Sequence, residues 1–599
     1  MSDSDRTMSA GWWRNPFSRL AERIQKREDQ VFLILALLIG AITGLVVVAF
    51  ILLTERAGVR LYPVHGAPWR RLLFPVVGSL GIGYLLFRFF PNARGSGVPQ
   101  TKAALYANQG NISLRTVLGK FFCTSATLAS GIPLGREGPS VQISAGIASV
   151  LGRHLGMRPE RVKALLPVGA AAAIAAAFNT PLAAVLFSLE EIVGDMNAPV
   201  LGAVVIASAT AWVVLRLILG NEPLFKVPQY QFHHTVELAF YAVLGVLAGL
   251  LSAAFSKLLL GIRARFLRFP RNTVWFQPVA GGLLVGIMGW FVPQVMGVGY
   301  SFVGDVLNGR MVLSMMVILI VLKLFAVTVS YSSGNAGGIF APSLFLGSML
   351  GGAVGTVAHL WLPNLTAEPG AYALVGMGAV FAGIVRTPMT SVLMIFEMTQ
   401  DYAIIVPLMI ANLVSLFIAS ILQKEPIYEA LAVQDGIHLP SSHSKRGRDQ
   451  RVVAQVLRAA PEPLPAELTA GQALEQAVSS QVQNQNLPQA GLQTWIVSDQ
   501  RGVIGVVNRS WLERESSGHA EQAGQADRKL ADLLDPLSFP HVHSDQGLDL
   551  ALERMGTHRI EILPVVGRAN AHKLEGIVTL RDVLDAYGVN SDELGSGRT

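Results

Sequence analysis

The sequence predicts an all-α polytopic membrane protein made of two related halves, followed by a cytoplasmic α/β domain. Three observations predict it. Of 599 residues, 51% are hydrophobic and only 15% charged, and the charge is scarce between about 31 and 423 but dense at both ends. With a mean hydropathy of +0.45, this is not the balance of a soluble protein. A set of spaced residues in the first half of the apolar region returns in the second. Beyond about residue 433 the composition becomes that of a soluble module. The net charge of +7 therefore belongs to termini and loops beside membrane lipid. No basic–aromatic patch accompanies it, which argues against nucleic acid as a partner.

Residues 1–30 form the first segment. Arg14, Arg19, Arg23, Lys26 and Arg27 precede the first apolar run, and basic residues so close to a span favour the cytoplasmic side. Asn15–Gln30 reads as an amphipathic helix on the membrane surface. The segment lacks the short apolar core and small-residue cleavage site of a signal peptide.

The membrane domain occupies 31–432. Val31–Thr54 is long enough to cross about 30 Å of hydrocarbon, and Leu72–Phe87 follows. The later runs are shorter or interrupted. Thr116–Ser130 carries only Lys120, and Ala164–Leu189 is alanine-rich and expected to break at Pro167 and Pro181. Then come Ala198–Leu215, Leu238–Phe255, Val279–Val292, Met311–Leu322, Leu324–Thr366, Tyr372–Val385, Thr387–Phe396 and Tyr402–Leu422. Alanine density marks a helix enclosed by other helices. Broken helices line polar pathways, because their freed backbone groups need partners. The single cysteine, Cys123, fills an apolar helix face on this reading.

Within this region Gly135-Arg136-Glu137-Gly138-Pro139 sets an arginine and a glutamate between long uncharged segments. Ionisable side chains are expensive at membrane depth and are functional candidates by default. Pro139 suits the first turn of a helix, and glycines let a backbone approach a ligand. A helix N-terminus here would aim unpaired N–H groups and a partial positive charge at an anion. Glu137 is itself an anion, so its carboxylate can occupy the place of a substrate. Gly95-Ser96-Gly97-Val98-Pro99 repeats the pattern with a hydroxyl; its plainer reading is a loop with an N-capping serine.

The duplication is visible within the chain. Lys120, Gly131 and Pro139 recur as Lys323, Gly334 and Pro342, 203 positions on (323 − 120). Further along the offset is 207 (387 − 180): Thr180-Pro181, Val185-Leu186 and Glu190 recur as Thr387-Pro388, Val392-Leu393 and Glu397. Two related halves commonly meet at a midplane site built from half-helix ends. The pairing sets Glu137 opposite Phe340. Lys120 and Lys323 read as structural cations neutralised by carboxylates or carbonyls.

The loops GSGVP at 95–99, GREGP at 135–139 and GNAGGIFAP at 334–342, with Tyr428 after Lys424-Glu425-Pro426, resemble the CLC family of chloride channels and proton-coupled chloride transporters. The resemblance spans about 30–432. It implies a homodimer with a separate pore in each subunit, inverted halves and tilted, broken helices in the inner (plasma) membrane, both termini cytoplasmic. It implies that Ser96 and Tyr428 offer hydroxyls to a central chloride, flanked by Gly97 and Gly138, with the N–H groups of Ile339 and Phe340 completing the site. It assigns Glu137 as the gating glutamate near the outer mouth and Glu191 as the internal glutamate that receives protons.

Some positions discriminate within the family. Ser96, where nitrate-preferring relatives have proline, favours chloride, and GSGVP differs from the fluoride-exporting branch. Glu191 resembles proton-coupled members, whereas the well-known channels carry a non-titratable residue there. Glu190 reads as structural. Gln100 replaces the usual glutamate, and Lys102 resembles eukaryotic members, an extra charge near the inner vestibule. The resemblance thus implies a chloride/proton antiporter, with a passive chloride channel as the alternative. Hydroxyl and amide donors hold chloride weakly enough to release it, as transport requires. A carboxylate competing for the same donors links protonation to anion occupancy.

Residues 433–453 form a polar linker, and 454–599 the cytoplasmic domain. Thr494–Val497, Val503–Val507, Glu561–Val566 and Leu574–Val578 read as strands, Leu548–Met555 and Leu580–Tyr587 as helices. Leu574-Glu-Gly-Ile-Val-Thr-Leu-Arg-Asp582 resembles the end of a cystathionine-β-synthase (CBS) domain at about 530–590, with a weaker first copy at about 454–515. Such pairs often bind adenine nucleotides, which implies contacts from Thr579 and Asp582. The first copy reads Asn508-Arg509-Ser510-Trp511 and lacks that aspartate. A pair serving only dimerisation and gating is the other reading. Ser516–Asp527 reads as a flexible loop. No nucleophile–base set, phosphate loop or metal-ligand spacing points to an enzyme or a metal site.

Overall fold

The computed structural model describes residues 28–62, 67–196, 200–220, 224–225, 227, 236–437, 451–483, 494–517, 528–535, 539–567 and 570–588. Most of the expected surface helix at Asn15–Gln30, of the 433–453 linker and of the loop at Ser516–Asp527 lies outside them. The chain divides into two units, Met1–Leu439 and Pro440–Thr599.

In the first unit, eight helices among the described residues are long and apolar enough to cross a membrane. Helices outrun their apolar stretches: Val31–Thr54 lies within Glu28–Leu61, and Leu238–Phe255 within Glu237–Leu267. Backbone bonding continues past the hydrocarbon wherever the flanking residues are good helix formers. One expected break is absent. The Pro159–Phe178 helix runs through Pro167, because its whole stretch from Leu165 is buried among other helices that hold it straight. The chain breaks instead at Asn179, left-handed with φ 61°, before Pro181 opens the next short helix, Pro181–Phe187.

Each half centres on one equivalent pair of helices. Glu137–His154 packs on Pro159–Phe178, and Phe340–Trp361 on Pro369–Val385. In the second pair the backbones touch: a Cβ on Gly351 would lie 2.0 Å from the Tyr372 carbonyl oxygen. Such close crossings replace the hydrophobic effect, which cannot drive helices together in lipid.

The halves are inverted copies joined by reciprocal bonds. Gly135 N–H donates to Gly338 O and Gly338 N–H to Gly135 O, each at 2.7 Å. Residues one repeat apart that exchange identical bonds must straddle an approximate two-fold axis. Farther out, Glu397 accepts from the N–H groups of Leu182 and Ala183 at 2.9 and 2.7 Å. Glu190 accepts from Thr390 N–H at 2.9 Å and from its hydroxyl at 2.7 Å. Each carboxylate thereby satisfies the orphan donors at the start of the other half's helix, so Glu190 is structural, as its sequence context indicates.

The two lysines obey the same symmetry. Lys120 Nζ donates to the carbonyls of Ala93 and Gly95 at 3.1 and 2.5 Å; Lys323 Nζ donates to those of Val295 and Gly297 at 3.1 and 2.7 Å. Both side chains are fully buried, where an unpaired ammonium would cost several kcal/mol. Carbonyls, not carboxylates, neutralise them, and each lysine pins a glycine loop.

In the second unit a short order of elements occurs twice. Leu464–Pro465 runs parallel to Thr494–Asp499, which is antiparallel to Gly502–Asn508; the Ala470–Gln483 helix precedes this hairpin and Arg509–Ser517 follows it. Val542 then bridges Val565 in parallel, and Leu548–His558 leads into the antiparallel hairpin of Ile562–Gly567 with Asn570–Thr579, closed by Leu580–Ala586. Alternating apolar residues of these strands fill the cores beneath the helices, Leu563, Val565 and Val578 in the second copy.

Candidate functional site

Two helix N-termini and two loops converge beside the Gly135–Gly338 bridge. The Glu137–His154 helix begins at Glu137, with Pro139 in its first turn. The Phe340–Trp361 helix begins at Phe340 after Ile339. Their first N–H groups have no carbonyl of a preceding turn to bond. The GSGVP loop lies against GREGP backbone to backbone. A Cβ on Gly97 would fall 2.2 Å from Gly138 O, and one on Gly138 would fall 2.9 Å from Ser96 Oγ. Gly97 also has φ 106°, so only glycine meets both demands there.

Ser96 is not the N-cap that its plainer reading makes it. The helix Val98–Tyr106 is capped by Gln100, whose Oε1 accepts from Gly97 N–H at 2.8 Å. A neutral amide thus does the capping work of the glutamate usual at this position, and the Ser96 hydroxyl is left over. Ser96 Oγ and Tyr428 Oη are both buried without a hydrogen-bond partner, although the two residues lie close enough to interact. Leaving buried hydroxyls unpaired costs about 1–3 kcal/mol each, so a pair of them marks a place for a polar guest.

Glu137 is fully buried. Its Oε1 accepts from the Tyr300 hydroxyl and its Oε2 has no partner. Arg136 lies alongside, Nε 4.0 Å from Glu137 Oε1, but its Nη1 is bound to Glu55 at 2.9 Å and its guanidinium sits 5.4 Å above the Tyr300 ring. Glu191, on the Ser188–Val193 turn, is buried and bonded to Lys102 Nζ at 2.9 Å. Glu429 is 4.0 Å from the same ammonium. Lys102 is therefore no free charge of a vestibule. Phe340 is enclosed by Phe178, Phe187 and Phe381, ring centroids 4.9, 5.7 and 4.3 Å away, so an apolar wall stands where its repeat partner is Glu137.

Sequence reasoning missed Tyr300, although a signal was there. Gly95-Ser96-Gly97-Val98 recurs as Gly297-Val298-Gly299-Tyr300, 202 positions on (297 − 95), with positive φ at all four glycines. Glu55 and the aromatic enclosure left no comparable trace.

In the second unit the two candidate nucleotide contacts bind each other. Thr579 Oγ1 donates to Asp582 Oδ2 at 2.6 Å and accepts from Asp582 N–H at 3.2 Å, capping the last helix. Arg458 bonds the other carboxylate oxygen. Among the described residues no cluster of His, Cys, Asp and Glu could hold a metal ion.

Fold and site together define a polytopic membrane protein whose inverted halves enclose a buried site of hydroxyls and helix N-termini, with one buried carboxylate in it. Residues 78–420 match the family of voltage gated chloride channels, and 531–588 the CBS domain; the chain belongs to that chloride channel family. It is 37% identical over 354 residues to an H(+)/Cl(-) exchange transporter ClcA of Vibrio campbellii, covering 58% of this chain and 76% of that one. To its namesake in Salmonella arizonae it is 33% identical, covering 69% and 91%. A slow cyanobacterial Cl-/H+ antiporter superposes with a TM-score of 0.63 at 27% identity, over 67% of this chain and 97% of that one. A eukaryotic CLC transporter shares the fold over 92% of this chain, with a TM-score of 0.57 at 20% identity.

Proposed function

We propose that the protein exchanges chloride for protons across the membrane, with Glu137 as gate and Glu191 as the internal proton acceptor. The observation that carries this reading is the pair of unpartnered buried hydroxyls, Ser96 and Tyr428, between two buried carboxylates that both act electrostatically on Tyr428. Chloride at those hydroxyls and at the free N–H groups of Ile339 and Phe340 would supply the missing partners. Ionised Glu137 competes for the same positive N-termini, so it excludes the anion; protonated, it loses that attraction and yields. Gly97 and Gly138 let the two loops close on the anion without a side chain between them. Glu191 takes a proton from the cytoplasmic side and passes it towards Glu137, off the anion's own line.

The relatives named above as exchangers support antiport. Measurement of both fluxes tests it: purified protein in liposomes under a chloride gradient should drive protons uphill. Chloride flux with no proton movement at any pH would overturn it. The Lys102–Glu191 pair favours the second reading, a passive channel, because Glu191 must give up its 2.9 Å ion pair before it can take a proton.

The wider assignment belongs to the same proposal: a homodimer with one pore per subunit in the inner membrane, both termini cytoplasmic, and residues 454–515 as a first CBS copy. An adenine nucleotide reaching Thr579 and Asp582 must displace Arg458 from the carboxylate. A thermal shift of the full-length protein with millimolar nucleotide, lost in Asp582→Ala, is the test.

A further inference from the structure

We propose that Tyr300 is the positioning residue of the gate, a latch whose hydroxyl holds the Glu137 side chain in the anion's place until the carboxylate is protonated. This rests on the reading of Glu137 as gate. Among the described residues the Tyr300 hydroxyl is the only hydrogen-bond donor to the Glu137 carboxylate. The nearest alternative, Arg136, is turned to Glu55 and leaves its Nε unbonded. The titratable and charged groups facing Glu137 are thus Tyr300, Arg136 and Tyr428, with Glu55 behind Arg136.

The latch has a rigid mount. Tyr300 opens the helix Tyr300–Leu307, directly after Gly299 at φ 88°. The preceding strand of chain is fixed at three points: Lys323 Nζ grips the carbonyls of Val295 and Gly297, and Gly297 N–H donates to Gly131 O at 2.9 Å. Lys120 fixes the equivalent loop before Ser96. The inverted repeat therefore delivers one hydroxyl loop to the anion and its copy to the gate. Arg136 and Phe225 pack on the phenol ring, but a cavity of ≈ 500 Å³ lined by Glu55, Tyr62, Arg136 and Met296 adjoins Tyr300. The ring has room to turn aside when its partner lets go.

Selectivity for the protonation state follows from the bond itself. A hydroxyl donating to a carboxylate makes a charge-assisted bond about twice as strong as one to the neutral acid. The latch holds the ionised gate and slackens when a proton arrives; the phenol keeps its own proton throughout.

The test is radioactive chloride uptake by purified full-length protein in liposomes, across pH. Tyr300→Phe keeps the ring and removes the donor, so the ionised gate loses support and opens at higher pH. The midpoint of the pH–flux curve should move about one unit to the alkaline side. A fluorinated tyrosine at 300, a stronger donor of nearly the same shape, should move it to the acid side. In a Glu137→Ala background Tyr300→Phe should change nothing. Coincident profiles for wild type and Tyr300→Phe, or an equal change in the Glu137→Ala background, would overturn the latch while leaving the gate standing. If Glu137→Ala keeps the wild-type pH dependence, the gate assignment itself fails and the latch with it.

Discussion

The Lys102 ammonium lies 2.9 Å from the Glu191 carboxylate and 4.0 Å from that of Glu429, a cation shared by two acids inside the protein. An opposite charge at this distance lowers the pH at which a carboxylate takes up its proton by about 1–3 units. Lys102→Met removes that charge and leaves Glu191 with the carboxylates of Glu429 and Glu190. Glu191 should then accept its proton at higher pH, and the proton-transport profile should move to the alkaline side by at least about one unit. Chloride flux should change little, since Lys102 is not at the hydroxyl site. Proton and chloride fluxes recorded together check both statements; an unmoved proton profile would remove Lys102 from the pathway.

The two carboxylates should separate cleanly. Glu137→Ala should leave chloride moving but uncoupled, with pH dependence largely lost. Glu191→Gln should stop proton movement while chloride transport and the gate's pH dependence persist. Reversal potentials distinguish the outcomes, because an uncoupled variant sits at the chloride equilibrium potential. A wild type that sits there at every pH is a channel.

The unpartnered hydroxyls allow a test in which binding and folding part company. Tyr428→Phe breaks no intramolecular bond, so the thermal midpoint should stay within about a degree. Loss of a hydrogen bond to an anion, worth about 1.5–3 kcal/mol, should weaken chloride binding by about tenfold or more in calorimetry. Ser96→Pro should raise nitrate preference relative to chloride. Unchanged anion affinity in both variants would take these residues out of the site.

The exchanged caps predict a matched pair of defects. Glu190→Ala and Glu397→Ala each strip the acceptor from two N–H groups at a helix start. Each should cost about 1–2 kcal/mol, seen as a fall of a few degrees in the thermal midpoint. Glu397→Ala should also disturb proton transport, because the helix it caps, Pro181–Phe187, leads straight into the turn that carries Glu191. Wild-type stability in both variants would show that the caps hold nothing.

Much of this was legible in the sequence, and the reason is physical. Glycine and proline record backbone geometry, so the loops at 95–99, 135–139 and 334–342 announce three of the converging turns. A lysine in an apolar run must find oxygens, so Lys120 and Lys323 mark their loops. The helix through Pro167 was not legible, because the neighbours that keep it straight are distant in sequence. Nor was the Tyr300–Glu137 bond, which joins residues 163 positions apart: the recurring glycines mark the loop before Tyr300 but not the residue it meets. Lys102 was visible as a charge, but only packing reveals that Glu191 consumes it. Thr579 and Asp582 were visible as a pair, and their bonds to each other and to Arg458 were not.

The reciprocal bridge of Gly135 and Gly338 has a last consequence. A perfect inverted duplicate would look the same from both sides of the bilayer and could not distinguish inside from outside. Its sense of direction has to be written where the copies disagree. Four such positions lie at the site: Glu137 faces Phe340 across the axis, Ser96 answers to Val298, Val98 to Tyr300, and Glu191 to Met398. At each of the four one member is polar and its counterpart is apolar. An acid and a phenol meet in one bond, while the second acid rides on a turn, Ser188–Val193, where the other half keeps the helix Pro388–Thr399. The vectorial character of the molecule resides in mismatches of this kind.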